Sequence, residues 1–519
     1  MLVKWHDPQL QLRLLVSTII ILNIYLKPIY QIPVIRDDGE VYTVDEALGE
    51  VGFGQFQVWV LLYAGFGCVA EAMEVMILSF VGPEVKFEWN LSSSQEGLLT
   101  TVVFAGMLIG AYCWGVIADK YGRRAGLLSV AIVTTLPAFF STFSPNYVSL
   151  LSLRMVVGLG LGGAPVYTSW FLEFVPKQNR GRWMVVFSTF WTIGTIFETS
   201  LAWIILPRLG WRWLLALSSL PAFATLFFYG LTVESPRYLY MQGRLIDAEC
   251  ILRKVATVNK KELPAGRLVA EKLTELHEDH DHEEVGQLLS HGREKDTVAH
   301  SHTGLSLLIS LFSAKLVKST LLLWVVFFGN SFAYYGIILL TSELVNENSS
   351  CGSIVLLSKP SEDTSLYRDV FITSLAELPG IVIAGITVDN IGRKFSMAIM
   401  YMLGCIFLLP LLFHQHEILT VVTLFGARMC IIGTFTIAGV YCPEIYPTSV
   451  RTTGVGVASA IGRIGGMICP AVAVGLTTNC HQMSAITLFE VVIIISGISV
   501  LFMPHETTGQ ELIDSLESD

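Results

Sequence analysis

The sequence predicts an all-α membrane protein with twelve transmembrane helices arranged as two similar six-helix bundles. Apolar residues make up 53% of the chain and charged residues only 15%, and the mean hydropathy is +0.60. A soluble domain usually carries about 25% charge. Several apolar runs also exceed about 18 residues, which is long enough to cross a bilayer. A charged hairpin that occurs twice, about half a chain apart, indicates a duplication.

The first hairpin has the sequence GVIADKYGRR at residues 115–124 and lies between two apolar runs. We expect Gly115 to let a neighbouring helix approach closely and Asp119 to cap backbone N–H groups at a helix end. Gly122 permits a tight reversal, and Arg123 and Arg124 hold the loop on the cytoplasmic side. The second copy, GITVDNIGRK at residues 385–394, repeats these residue types at Gly385, Asp389, Gly392, Arg393 and Lys394. An ordinary basic loop would explain one copy, whereas two aligned copies favour duplicated membrane halves.

The apolar runs divide into two sets of six. The predicted spans of the first bundle, residues 58–233, are 58–81, 98–118, 125–143, 147–172, 183–206 and 213–233. Those of the second bundle, residues 316–503, are 316–341, 370–388, 395–413, 418–442, 453–476 and 484–503. We assign residues 1–57 to an N-terminal extension, residues 234–315 to a polar central linker and residues 504–519 to a polar tail.

The orientation follows from the loops that carry lysine and arginine. The basic residues concentrate in alternate loops, at Lys120, Arg123, Arg124, Lys177, Arg180, Arg182, Arg393, Lys394 and Arg451. Both termini and the central linker are therefore predicted to be cytoplasmic. Glycosylation sequons at Asn90 and Asn348 lie in matching loops on the opposite side. Cys351 and Cys480 also fall in outer loops, either as a disulfide or as separate thiols.

Other functional classes find little support in the sequence. The run HEDHDHEE at residues 277–284 could bind a metal, but a solvated linker is the favoured interpretation. We therefore expect no metal site and no cofactor. The net charge of −10 lies outside the apolar runs and indicates no nucleic-acid partner. The chain has no Walker motif and no nucleophile elbow, so we predict that it is not an enzyme.

The hairpin pattern G-x-x-x-D-x-x-G-R-R/K resembles the signature loop of the major facilitator superfamily. The span exits, with Glu173 and Arg180, Glu444 and Arg451, and the motif Glu234-Ser235-Pro236-Arg237, resemble the sugar-porter and organic-ion branch. The stretches EAME at 71–74, WRW at 211–213, NSFAYYG at 330–336 and SAIGRIGG at 459–466 are similar to plant organic cation/carnitine transporter 7-like proteins. Those proteins are relatives of nicotinate transporters and of synaptic-vesicle glycoprotein 2-related proteins.

This resemblance implies the major facilitator fold and secondary transport by alternating access. It implies that the residues of both hairpins, with Glu173, Arg180, Glu444 and Arg451, act as gating motifs. The expected cargo is a small organic ion, either cationic or a pyridine carboxylate, driven by a proton gradient. The expected partners are this substrate, a proton and the lipid bilayer, and the protein is expected to be a monomer.

Charges inside the spans are the candidate functional residues, because each costs about 2.5–3.5 kcal/mol at the bilayer centre on insertion scales. Glu71 and Glu74 lie close together on one helix face, and Arg154 is the expected partner from span 4. In related sugar porters, the residues at the Glu71 and Arg154 positions form the proton-coupling pair. The alternative is a fixed ion pair that braces spans 1 and 4.

Substrate binding is assigned to Glu74, Asn330, Tyr334, Tyr335, Glu377 and Arg463, with Glu198 and Glu490 as further candidates. Glu74 is expected to be a spare carboxylate that attracts a cation, because Arg154 can neutralise only one acid. Tyr334 and Tyr335 could stack on a cationic or heteroaromatic substrate, or could simply pack between helices.

The sequence therefore predicts a proton-coupled organic-ion transporter of the plasma membrane, or of a vacuolar or other endomembrane. A receptor or trafficking protein that retains the fold without transport is the alternative, because fold does not fix function. The retained Glu71, Arg154 and both hairpins favour transport.

Overall fold

A computed structural model of the chain describes residues 41–176, 180–268, 309, 311–347, 364–413, 417–446, 450–477 and 482–507. Twelve helical segments in this described part are long and apolar enough to cross a membrane, as the sequence predicts. In the first half they are Gln55–Trp89, Ser93–Tyr121, Arg123–Phe143, Tyr147–Leu172, Arg180–Leu209 and Trp211–Leu231. In the second half they are Val317–Thr341, Tyr367–Val388, Arg393–Leu412, Ile418–Ile445, Thr453–Ala473 and Met483–Leu501. We number them spans 1 to 12.

Four spans are built from two consecutive helices. Span 1 consists of Gln55–Met76 and Leu78–Trp89, span 4 of Tyr147–Leu161 and Ala164–Leu172, span 6 of Trp211–Ser218 and Leu220–Phe227, and span 8 of Thr364–Leu375 and Glu377–Asn390. The second helices of spans 4 and 6 have a proline in their first turn, where a missing N–H is tolerated. The break in span 8 makes Glu377 the first residue of a helix, where the helix dipole favours an anion.

The remaining spans are single helices, some extended by a 3₁₀ turn. The helices are Ser93–Tyr121, Arg123–Phe140, Arg180–Leu209, Val317–Glu347, Arg393–Leu408, Glu417–Ile445, Arg451–Thr477 and Gln482–Leu501. Spans 3 and 9 end in the 3₁₀ turns Ser141–Phe143 and Leu409–Leu412, and the two-helix span 6 ends in the turn Phe228–Leu231. Span 1 extends beyond the predicted 58–81, because hydropathy marks only the apolar part of a helix whose polar ends continue.

Glycines let spans 2 and 4 pack closely against each other. A Cβ atom at Gly110 would lie 2.0 Å from the carbonyl oxygen of Leu159, and one at Gly158 would lie 2.1 Å from that of Val103. These distances are too short for any side chain, so the two backbones touch directly. The expectation for Gly115 is wrong, because no atom of the described residues lies within 4 Å of the position of its Cβ.

The residues before span 1 pack against the segment that follows span 6. Helix Val44–Val51 lies against the helices Pro236–Met241 and Leu245–Asn259, and strand Val41–Tyr42 pairs in parallel with Arg267–Leu268. An ion pair between Asp45 and Arg237 joins the same elements. The sequence predicts a separate extension and linker for these residues, since hydropathy gives no sign of contacts between them. The run at 277–284 lies outside the described residues.

The exposed thiol of Cys250 on helix Leu245–Asn259 offers a test of the predicted orientation. A membrane-impermeant maleimide should leave Cys250 unmodified in intact cells and modify it after permeabilisation, if the linker is cytoplasmic. The Cys250→Ser variant gives the background from other thiols. Equal modification of Cys250 before and after permeabilisation would reverse the proposed orientation.

Each charged hairpin ends in a helix N-terminus that is capped by a distant carboxylate. The N–H of Arg123 donates to Glu234 Oε1 at 2.9 Å, and the N–H of Arg393 donates to Glu506 Oε1 at 2.8 Å. The N–H groups of Arg124 and Lys394 donate to the same two acids, at 3.3 and 3.0 Å. The expectation that Asp119 is the cap is therefore wrong, because the helix that begins at Arg123 is capped by Glu234, shortly after span 6.

The glycines of the hairpins make room for these caps. Gly122 and Gly392 have φ values of 103° and 99°, which side chains rarely adopt. A Cβ at Gly122 would lie 2.4 Å from Glu234 Oε2. Glycine is thus needed at this position both for the backbone turn and for the approach of the capping carboxylate.

Candidate functional site: charge pairs where the two halves meet

The two halves meet along a surface that we call the seam, formed mainly by spans 1, 2 and 5 of one half and spans 7, 8 and 11 of the other. Thr101 Oγ1 donates to the carbonyl oxygen of Met467 at 3.2 Å. The rings of Phe104 and Tyr335 are 4.6 Å apart at their centroids. Thr101 and Phe104 lie in the part of span 2 that is remote from the charged hairpin. The contact between the halves is therefore close at the end opposite the hairpins.

The first charge pair lies inside the first half, between spans 1 and 4. Arg154 Nη1 is 2.7 Å from Glu74 Oε2, and each side chain is 1% exposed. The expected contact between Arg154 and Glu71 is wrong. Three residues turn a helix by about 300°, so Glu74 points toward span 4 while Glu71 points toward the seam. Glu74 is likewise not the spare carboxylate, because it is the acid that Arg154 neutralises.

A further acid, Glu198 of span 5, lies near this pair. It is fully buried, and the hydroxyl of Ser218 donates to its Oε2 at 2.7 Å. Its position inside the first half separates it from the seam. Glu490, in span 12, lies beside Cys405 in the second half. Neither acid contacts the seam through the described contacts.

The second charge pair lies in the second half, between spans 8 and 10. Arg428 donates to Glu377 Oε1 from Nε at 3.0 Å and from Nη2 at 2.7 Å, and both side chains are fully buried. The hydroxyls of Thr192 and Thr195, on span 5 of the other half, donate to Glu377 Oε2 at 3.2 and 3.1 Å. The hydroxyl of Tyr334 donates to Oε1 at 2.7 Å. Glu377 thus joins both halves by hydrogen bonds, and its counter-ion belongs to its own half.

The third charge pair crosses the seam. Arg463 Nη2 of span 11 is 3.2 Å from Glu71 Oε1 of span 1, with side chains that are 16% and 9% exposed. Arg463 Nη1 is also 3.5 Å from the hydroxyl of Tyr335. Of these three charge pairs, this is the one whose two partners belong to different halves.

A small central cavity of about 20 Å³ lies in the seam. Its lining includes Thr100, Trp191, Tyr334 and Tyr335. The indole N–H of Trp191 donates to the hydroxyl of Tyr334 at 2.7 Å, which fixes both aromatic rings. A volume of this size holds about one water molecule and excludes an organic ion. In this structure the central cavity is therefore too small to hold an organic ion.

The other predicted substrate residue, Asn330, lies within the second half. Its side-chain oxygen accepts hydrogen bonds from Tyr401 at 2.6 Å and from Thr434 at 2.8 Å, and the residue is 1% exposed. These bonds hold spans 7, 9 and 10 together. The structure thus brings Glu71, Arg463, Tyr334, Tyr335 and Glu377 to the seam and places Asn330 and Glu74 in the interiors of the bundles.

The predicted gating residues form two similar ion-pair networks. Arg123 contacts Asp119 and donates from Nε to Glu173 at 2.9 Å, and Arg393 donates from Nε to Glu444 at 3.1 Å. Burial raises the pKa of Glu173, and the charge of Arg123 opposes this rise. In addition, Arg180 donates to the carbonyl oxygen of Val175 at 3.5 Å, and Gly385 lies near Val185 of the other half.

Some predicted residues cannot be placed in these networks. The side chains of Asp389 and Arg451 lie outside what the structure describes, as do Asn348, Cys351 and Cys480. Asn90 is exposed at the end of helix Leu78–Trp89, and its glycosylation remains a prediction.

Several residues that form these contacts are not predicted as site residues from the sequence. The caps Glu234 and Glu506 are separated by about 270 residues, as the hairpins are, so the repeat could have revealed them. Arg428 follows Arg154 at a similar spacing. Trp191, Thr192 and Thr195 carry no such signal, because uncharged side chains in a span are common.

Comparison with known proteins agrees with this architecture. Residues 64–516 match the family model described as "Sugar (and other) transporter". The chain is 57% identical over 491 residues to organic cation/carnitine transporter 7 of Arabidopsis thaliana, covering 93% of this chain and 98% of that protein. It is 36% identical to the synaptic vesicle 2-related protein of Xenopus laevis, covering 92% of this chain and 83% of that protein.

Solved structures share the same fold. The xylose transporter XylE of E. coli, in a partially occluded inward open conformation, superposes with a TM-score of 0.67 at 17% sequence identity. The match covers 88% of this chain and 100% of that chain. The match to the family model spans most of the sequence, and both halves carry the charged hairpin. The chain therefore belongs to the sugar (and other) transporter family of the major facilitator superfamily.

Proposed function

We propose that this protein is a proton-coupled secondary transporter of a small organic ion, in which Glu71 carries the proton. The observation that carries the proposal is the ion pair of Glu71 and Arg463 across the seam. The proposed membrane is the plasma membrane or an endomembrane, and the proposed active unit is a monomer. The name of the plant relative, organic cation/carnitine transporter 7, supports an organic ion as cargo.

Glu71 differs from the other buried acids in having a charge partner from which it must separate during transport. Arg154 and Glu74 belong to one half, and Arg428 and Glu377 belong to the other, so each pair can persist when the halves move. The pair of Glu71 and Arg463 must break whenever spans 1 and 11 move apart. A carboxylate left without its counter-ion in a low-dielectric site is strongly disfavoured, and binding of a proton removes this cost.

Glu71 pairs with Arg463 and not with Arg154, the partner that the sequence predicts. Arg154 braces spans 1 and 4 through Glu74, and Arg463 is the cation that Glu71 loses and regains. When Glu71 is protonated, Arg463 is free to bind an anionic group of the substrate. Glu71 in its charged form would in turn attract a cationic group, so it takes the role that was expected of Glu74.

The aromatic residues around the central cavity supply the rest of the proposed site. Trp191, Tyr334 and Tyr335 present ring faces between the two halves, and the two tyrosines add hydroxyls. Such faces bind organic cations and stack on heteroaromatic rings. Glu377 is held by hydroxyl donors from span 5, so opening of the seam also exposes hydrogen-bonding groups to the substrate.

The test is a transport assay with purified protein in liposomes and a pH gradient imposed in either direction. Radiolabelled carnitine, choline and nicotinate serve as probes, with xylose as the uncharged control and protein-free liposomes as the background. We expect at least one of the ions to accumulate above its equilibrium level, and a protonophore should abolish this accumulation. Uptake of xylose alone, or uptake of an ion that a protonophore leaves unchanged, would contradict the proposal. Absence of transport for every probe would favour the receptor alternative.

A further inference from the structure

A second cavity, of about 40 Å³, lies inside the first half rather than in the seam. It is enclosed by spans 1, 3, 4, 5 and 6. Its polar lining includes the carboxylate-bearing Glu71, the thiol-bearing Cys68, and the hydroxyl-bearing Thr134, Tyr167 and Thr225. We call it the bundle cavity. In the described part of the chain, no residue lines both the bundle cavity and the central cavity.

Glu71 therefore lies between two different compartments. Its carboxylate reaches across the seam to Arg463, and the same residue forms part of the wall of the bundle cavity. The bundle cavity also extends away from Glu71 toward the charged hairpin. Thr134 lies in span 3, which begins at Arg123, and Thr168 lies in span 4, shortly before Glu173. With a helical rise of about 1.5 Å per residue, these hydroxyls lie roughly 8–17 Å from the hairpin.

The size and lining of the bundle cavity suit water. A buried water needs about 10–15 Å³ of accessible space and two to four polar partners. A volume of about 40 Å³ therefore has room for about three water molecules. The hydroxyl of Thr225 donates to the carbonyl oxygen of Ala222 at 2.8 Å, and its oxygen can still accept a hydrogen bond from water. A chain of such waters would end beside Glu71, which lines the cavity.

We propose that the bundle cavity is a water-filled route by which protons reach Glu71 from the side of the charged hairpins, separate from the path of the substrate. The proposal rests on the proposed role of Glu71 as the proton carrier. Its consequence is that Glu71 can exchange its proton while the central cavity is closed. Thr134 and Thr225 act as positioning residues for the water, and Cys68 reports on whether water is present.

The first experiment measures access to Cys68 in the full-length protein and requires no knowledge of the substrate. Silver ion, a thiol reagent about the size of a water molecule, is applied to the folded protein, and protection of Cys68 against later labelling by N-ethylmaleimide in the denatured protein is followed by mass spectrometry. We expect Cys68 to react in the folded protein, and the larger biotin-bearing methanethiosulfonate to react at least tenfold more slowly. A Cys68 thiol that reacts only after denaturation would overturn the proposal.

Filling the bundle cavity should remove this access. Ala131→Leu places a larger side chain in the wall, and we expect it to slow the modification of Cys68 by at least tenfold. Val75→Leu, which enlarges a side chain in the lining of the central cavity, is the control and should leave the rate unchanged. Equal rates in wild type and Ala131→Leu would mean that the reagent arrives by another path.

The second experiment tests proton delivery with a conservative change that is less disturbing to folding than Ala131→Leu. Thr134→Val removes a hydroxyl at nearly constant volume, and we expect it to slow proton-driven accumulation of the transported probe at least fivefold while leaving exchange of the probe unchanged. Thr100→Val, in the central cavity, is the control and should not show this selective loss. Equal losses of accumulation and exchange in Thr134→Val would mean a merely structural role. If Glu71→Gln retains accumulation while Cys68 remains reactive, the bundle cavity exists but the carrier is another residue.

Discussion

Replacement of Arg428 by methionine is expected to reduce the yield of folded protein at least tenfold. Glu377 would then remain fully buried without its guanidinium partner. Breaking a buried ion pair by removing one partner costs about 3–5 kcal/mol, because the remaining charge has no counter-ion. The yield and the melting temperature of the purified protein, measured by size-exclusion chromatography and thermal unfolding in detergent, report this loss.

Two controls make the expected loss specific to charge. Arg212→Met removes a guanidinium from an ion pair with Glu88 whose side chains are 40% and 39% exposed, and should change the stability by less than about 1 kcal/mol. The double variant Arg428→Met with Glu377→Gln removes both charges and should recover most of the yield, since the amide still accepts hydrogen bonds from Tyr334 and span 5. If Arg428→Met is as stable as Arg212→Met, the pair contributes little to stability.

Replacement of Glu71 by glutamine is expected to abolish accumulation of the substrate against its gradient and to preserve exchange of substrate across the membrane. Glutamine keeps the shape and can still accept a hydrogen bond from Arg463, but it cannot carry a proton. The measurement compares uptake of the transported probe under a pH gradient with exchange between equal concentrations on both sides. Accumulation in Glu71→Gln at the wild-type level would show that another group couples the proton.

The matched control for this experiment is Glu74→Gln, three residues further along the same span. Glu74 is paired with Arg154 within one half, so its loss should lower the yield of protein and affect accumulation and exchange together. A selective loss of accumulation in Glu74→Gln, with normal behaviour of Glu71→Gln, would assign the coupling to the pair of Glu74 and Arg154. The two variants thus separate the charge pair that crosses the seam from the one that does not.

The sequence by itself determined the class of the protein, the number of spans and the relation between the halves. The length and composition of an apolar run decide whether it crosses a bilayer, and both are local properties of the chain. The repeated hairpins and the spacing between Arg154 and Arg428 follow from the duplication in the same way. The sequence also identified which charges are placed in the spans, because any such charge is conspicuous in an apolar run.

Only the tertiary structure decided which acidic and basic side chains form ion pairs. Glu71 and Glu74 are almost equivalent in the sequence, yet one faces Arg463 of the other half and the other faces Arg154 of its own. Each residue turns a helix by about 100°, so a difference of three positions and the rotation of each helix select the partner. The hydroxyls of Thr192 and Thr195 reach Glu377 for the same reason, since contacts between distant segments depend on how the helices pack.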